Sequence, residues 1–163
     1  AAALTACSST NEAVNQALIE GAVGGIVAAD CKIGRSRYWA ANATVPVNEI
    51  SFRIVMTNVS SKPVTLSGDN FATTLDGTPI PPFNFSARDV GDADIWRTYD
   101  SLTIRPGEER SVALAYEISQ PTYDSWYRSS RTVAVSFTCG NQRVTYTKNS
   151  RSDEITVSDI ETL

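Results

Sequence analysis

The sequence predicts an all-β protein, an antiparallel sandwich preceded by a short helix or linker, and three observations carry that expectation. Apolar and polar residues alternate over short runs, as in Ile50, Phe52, Ile54 and Met56 or Val112, Leu114, Tyr116 and Ile118, the period of a strand with one buried face. Turn chemistry separates these runs at Asp76-Gly77, Arg105-Pro106-Gly107-Glu108 and Gly140-Asn141, where glycine and proline supply the dihedrals that tight turns need. The length of 163 residues suits one domain with its own core plus a tail.

In chain order, residues 1–29 read as a tether and a short helical linker. Val14, Leu18, Val23, Ile26 and Val27 supply its apolar positions, while Gly21 and Gly25 weaken a helix and form a G-x-x-x-G. The apolar stretch at 21–29 is far shorter than the roughly 20 residues that span a bilayer. The sandwich is expected over residues 30–148. Residues 50–57 form a strand stopped by the polar run 58–63, and 64–66 continue it. Residues 71–75 then meet the Asp76-Gly77 hairpin. Pro79, Pro81 and Pro82 lack a backbone donor and belong in a loop or at a sheet edge. Leu102 and Ile104 lead into the Pro106-Gly107 turn and the strand at 112–118, and 132–139 with 143–147 make a final hairpin. Residues 149–163 form a polar tail in which Ile155, Val157 and Ile160 suit one edge strand.

Composition narrows the chemistry. The chain contains no histidine, which removes the usual general base near neutral pH and the commonest metal ligand. Ser-His-Asp and Cys-His arrangements are impossible, no lysine follows a serine at S-x-x-K spacing, and no phosphate-binding glycine motif occurs. The expectation is a domain that is not an enzyme and needs no cofactor. A net charge of −4, with 11 Arg and 3 Lys, offers no basic excess for a phosphate backbone, so nucleic acid is disfavoured as a partner. Asp89, Asp92, Asp94 and Asp100 could supply oxygens to Ca²⁺, but their spacing is not that of an EF-hand and a solvated acidic loop is the plainer reading.

The chain opens as Ala1-Ala2-Ala3-Leu4-Thr5-Ala6-Cys7-Ser8 and reads as the remnant of a longer precursor. Leu4-Thr5-Ala6-Cys7 resembles the lipobox of bacterial lipoproteins, which implies diacylglycerol on Cys7. Ser8 in place of aspartate after that cysteine implies sorting to the outer membrane. If Cys7 is acylated in an oxidising compartment, Cys31 and Cys139 remain, and both fall on the apolar parity of their segments. Their pairing would close a loop of about 100 residues, worth up to about 4.7 kcal/mol in the chain-entropy model. Two separate buried thiols are the alternative.

The segment Thr57-Asn58-Val59-Ser60-Ser61-Lys62-Pro63-Val64, followed later by Leu102-Thr103-Ile104-Arg105-Pro106-Gly107-Glu108, resembles the immunoglobulin-like domains of bacterial secreted lipoproteins of the DUF4352 kind, over residues 30–148. That resemblance implies an immunoglobulin-like sandwich in the cell envelope and no particular activity. Phe137 and Trp39 do not occupy the tyrosine and tryptophan positions of antibody domains.

Within the loop at 120–131, Tyr123, Trp126, Tyr127 and Arg128 are residue types enriched in buried contacts between proteins. They form a candidate interaction patch, unless Trp126 and Tyr127 cap one end of the core. Ile95-Trp96-Arg97-Thr98-Tyr99 presents the same choice and could adjoin the first patch. The expected partners are a membrane, reached through the lipid on Cys7, and another envelope protein. The expected place is the periplasmic face of the outer membrane. The alternative is a secreted or cell-surface module that binds glycan or peptide through the 120–131 loop. The sequence leaves the oligomeric state open.

Overall fold

The computed structural model describes residues 8–91 and 95–163. Cys7 lies outside them, as do Asp92 and Asp94 of the acidic loop.

A helix, α1 (Ser8–Glu20), leads through Gly21–Gly25 into the long strand β1 (Ile26–Tyr38), and β2 (Val47–Asn58) returns beside it. There follow β3 (Val64–Leu66), a 3-10 turn (Gly68–Asn70), β4 (Phe71–Leu75), β5 (Thr78–Ile80), β6 (Asn84–Asp89), β7 (Arg97–Thr98), β8 (Leu102–Ile104) and β9 (Glu109–Glu117). A five-residue helix, α2 (Gln120–Asp124), precedes β10 (Thr132–Cys139), β11 (Gln142–Asn149), β12 (Ile155–Val157) and β13 (Glu161–Thr162). One sheet runs β1-β2-β9-β6-β7 and the other β12-β11-β10-β4-β5, with β13 also on β11 and a separate β3-β8 pair. Every pairing is antiparallel. The protein is a β-sandwich with a short N-terminal helix.

The alternations expected from the sequence form the core between the sheets. Ile50, Phe52, Ile54 and Met56 of β2 are buried, as are Val112, Leu114 and Tyr116 of β9 and Val133, Val135 and Phe137 of β10. Phe71 sits at the centre of an aromatic cluster, with ring centroids 5.1 Å from Phe137, 5.9 Å from Phe52 and 6.3 Å from Phe85. Such tilted pairs add to the effect of burial.

The turns also form as their residues dictate. Asp76 (φ 51°) and Gly77 (φ 83°) close the β4–β5 hairpin, and a left-handed pair of central residues is what a type I′ turn requires. Pro79 lies in β5, an edge strand. The described sheets extend beyond residues 30–148 at both ends: β1 begins at Ile26, and β12 and β13 add residues after 149 to the second sheet.

The cysteines depart from expectation. Cys31 and Cys139 are free thiols, so the crosslink between them is not formed. Register explains this. The Cys139 thiol lies against the carbonyl of Gly24 at 3.8 Å, before β1 begins, whereas Cys31 adjoins Tyr146 and lies five residues beyond Ile26, the first residue of β1. That offset is about 16 Å at the usual strand rise, and a disulfide tolerates only about 7 Å between Cα atoms. Cys31 also sits in a bulge between Ala29 and Lys32, where Asp30 takes φ 53°.

Candidate functional site

The far end of β1 and the α2 segment build a cluster of arginines and tyrosines. Ser119 caps α2 by accepting from the Thr122 amide at 3.2 Å, as serine does at helix starts. After α2 the chain turns inward and buries Trp126 to 1% exposure. The rest of the loop is fastened on both sides. Arg131 pairs with Asp76 at 3.2 Å and donates to the Ser125 hydroxyl at 3.0 Å, and Ser150 donates to the Ser129 carbonyl at 3.1 Å.

Ile33, Arg35 and Arg37 share one parity of β1, opposite Phe52, Ile50 and Asn48. They therefore aim toward the space between the sheets, where uncompensated charge is disfavoured. The α2 segment resolves that conflict. The Arg35 guanidinium lies 4.2 Å from the Tyr123 ring and 4.6 Å from that of Tyr127, and Arg37 lies 4.0 Å from Tyr123. Arg35 also donates to the Tyr123 carbonyl. Arg37 donates to Asn48 at 2.6 Å and pairs with Asp124 at 3.1 Å. Two cations thus stack on one ring, an arrangement attractive through the ring quadrupole.

Of the four residues expected to form a patch, Tyr123 and Tyr127 meet through Arg35, and Arg128 is exposed beside them. Trp126 does not belong to the surface: it is a core side chain, which corrects its assignment as a contact residue. Tyr127 is 60% exposed. Past Arg37, Tyr38 and Trp39 are exposed at the same end of β1, and Val45 is exposed before β2 begins. Arg35 and Arg37 were not expected as members, although two arginines on the core parity of a strand were a usable signal.

Trp96 does not adjoin this cluster. It covers the outer face of the first sheet between Arg53 (5.4 Å) and Arg88 (5.1 Å). Beside it is a groove of about 450 Å³, lined by Asp30, Cys31, Lys32, Arg53, Arg88 and Ser111 among others.

Burial pushes the Cys31 thiol up to about 12 and raises that of Cys139, the latter opposed by a bond with the Gly140 backbone. Both are thiols rather than thiolates at neutral pH, which makes them poor nucleophiles. Asp89 is engaged by the Arg110 side chain at 3.0 Å. Among the described residues there is no group of three His, Cys, Asp or Glu side chains placed to hold a metal ion, and no helix is long and apolar enough to cross a membrane.

No protein-family model matches the chain, and no curated protein matches it. Several solved structures are similar at low identity. The yjhA protein of Bacillus subtilis is 16% identical with a TM-score of 0.43, covering 69% of this chain and 73% of its own. The ycdA protein of the same species, a candidate lipoprotein, is 10% identical with a TM-score of 0.46, and the match covers 78% of this chain and 36% of that one. An uncharacterised β-sandwich protein of Clostridium difficile is 15% identical with a TM-score of 0.45, covering 76% and 83%.

Proposed function

We propose that this chain is a membrane-anchored lipoprotein of the bacterial cell envelope, held by lipid on Cys7, whose sandwich presents the arginine–tyrosine end to another envelope protein. The observation that carries the reading is the run of β1 between two unlike poles. At its start, the α1 junction is packed into a nest of turns: Gly24 accepts the Cys139 thiol and donates its amide to Gln142 at 3.0 Å, while the Val59 amide donates to Gly25 at 2.9 Å. At its far end stand Arg35, Arg37, Tyr38 and Trp39, nine residues and more from Ile26. That is about 30 Å at the usual strand rise. The α1 junction, through which a tether on Cys7 would run, therefore lies at the opposite end of β1 from the exposed aromatic residues.

The chemistry of that end suits a protein surface. Tyr127 and Trp39 offer flat amphipathic area, with Arg128 available for charge-assisted bonds. Lipid supplies about 0.8 kcal/mol per buried CH₂, so anchoring needs no transmembrane helix.

Labelled palmitate supplied to cells that express the full-length precursor tests the anchor. Label on the parent and its loss in Cys7→Ala are expected, and an unlabelled parent overturns the reading.

A further inference from the structure

We infer that the groove between the β1 bulge and Trp96 is a second site, one that binds the phosphate or carboxylate group of a small organic anion. Its defining feature is a charge arrangement that the fold does not neutralise. Lys32 and Arg53 are direct cross-strand partners in the β1–β2 register and lie on the outer face of the sheet. Like charges placed opposite one another in an antiparallel pair oppose folding. Among the described residues neither has a carboxylate within ion-pair distance, although the chain as a whole is acidic, at −4. Arg88 and Asp30 also line the groove.

The surrounding elements give this repulsion a shape. The bulge at Asp30 and Cys31 lifts one rim of the groove. Trp96 forms the other, fixed between Arg53 and Arg88. Across the strands, Arg53 faces Ala113, and Val55 faces the hydroxyl-bearing Ser111. Val55 and Ser111 line the floor between them, with one hydroxyl for an anion oxygen. The volume of about 450 Å³ lies within the range of small-ligand sites. An anion bridging Lys32 and Arg53 would turn repulsion into two charge-assisted hydrogen bonds, with the indole available to a flat portion of the ligand. This site shares no residue with the arginine–tyrosine cluster, and neither reading depends on the other.

Titration of the protein with phenyl phosphate, followed by amide and indole NMR shifts, tests the inference, with sodium chloride at equal ionic strength as the control. Saturable shifts at Lys32, Arg53 and the Trp96 indole are expected. Arg53→Gln should weaken the affinity about tenfold or more, the loss of one charged hydrogen bond, while its melting temperature stays at or above that of the parent because the cross-strand repulsion is gone. Vesicles containing phosphatidylglycerol form a second arm: binding to them that disappears in Arg53→Gln, without a response to phenyl phosphate, assigns the anion to a lipid headgroup. The inference is overturned if neither probe perturbs the three residues beyond the salt control, or if Arg53→Gln responds as the parent does.

Discussion

The carboxamide of Asn58 donates to the carbonyl of Ile104 at 2.8 Å, joining the end of β2 to the end of β8 across 46 residues of sequence. The same amide donates to Lys62 at 2.8 Å, and its oxygen accepts from the Ser60 amide and hydroxyl at 2.9 and 2.7 Å. The Asn58 backbone completes the link, donating to Glu108 at 3.1 Å and accepting from Gly107 at 2.8 Å. Asn58 is fully buried, and its hydrogen-bonding capacity is used in full, the condition under which a buried polar side chain supports a fold. Two turns that look independent in the sequence, the one after β2 and the Pro106-Gly107 turn, are therefore one structural unit.

Replacing Asn58 by leucine removes the side-chain partner of the Ile104 carbonyl and of the Ser60 amide, while the Lys62 carbonyl keeps the Ser60 hydroxyl at 2.9 Å. At about 1 to 3 kcal/mol for each buried unsatisfied group, Asn58→Leu should lose about 2 kcal/mol or more in urea denaturation. Thr57→Ala, one residue away on the outer face, should change little.

Trp126 and Tyr127 are neighbours with opposite roles. Trp126→Ala removes a fully buried ring and should cost about 3 to 5 kcal/mol, whereas Tyr127→Ala should stay within about 1 kcal/mol, the worth of an exposed cation–π contact. Equilibrium unfolding of the two variants separates them. Equal losses would contradict the assignment of Trp126 to the core and Tyr127 to the surface.

This pair also marks where sequence reasoning stops. Strands such as β2 and β9 were legible because a period of two over seven residues has one consistent solution: Ile50, Phe52, Ile54 and Met56 face inward together. In a short loop no period exists, so nothing in Trp126-Tyr127-Arg128 distinguished the anchored ring from the free one. Arg35 and Arg37 were missed for a related reason, since charge on the inward parity of a strand reads as the end of that strand until a ring from elsewhere is known to cover it. The cysteines failed on register. Parity correctly turned both inward, but parity says nothing about position along the strand, and that offset keeps the two sulfurs apart.

The junction between α1 and β1 is tight. A Cβ on Gly24, whose φ is 56°, would fall 2.6 Å from the Cys139 sulfur and 2.7 Å from its carbonyl oxygen. Both the left-handed backbone and the crowding act against a side chain. Gly24→Ala should cost about 1 to 3 kcal/mol and increase hydrogen exchange at the amides of residue 24 and Val59, while Gly91→Ala, with open space around it, should leave those amides unchanged.

Stability should decline in alkali. Burial raises Cys31 from 9.0 to about 12, and raises Tyr116 and Tyr146 from 10.0 to about 12, with the Thr73 hydroxyl partly opposing the rise at Tyr116 and Cys31 adding to it at Tyr146. These groups stay protonated in the folded chain at pH values where the unfolded chain has lost its protons. Their contribution is therefore complete below about pH 9 and is lost progressively as pH rises toward 12. Melting temperatures across that window should fall, and less steeply in Tyr146→Phe than in the parent.

In the proposed arrangement the lipid anchor stands at one pole of β1 and the arginine–tyrosine end at the other. Lipidated protein in vesicles, carrying a nitroxide on Ser61→Cys in one sample and on Arg128→Cys in another, reports that polarity through collision with a bilayer-bound relaxation agent. The label at 61 should be relaxed more strongly than the label at 128, which should behave as though in bulk water. Stronger relaxation at 128 than at 61 would place the aromatic end against the membrane and contradict the account.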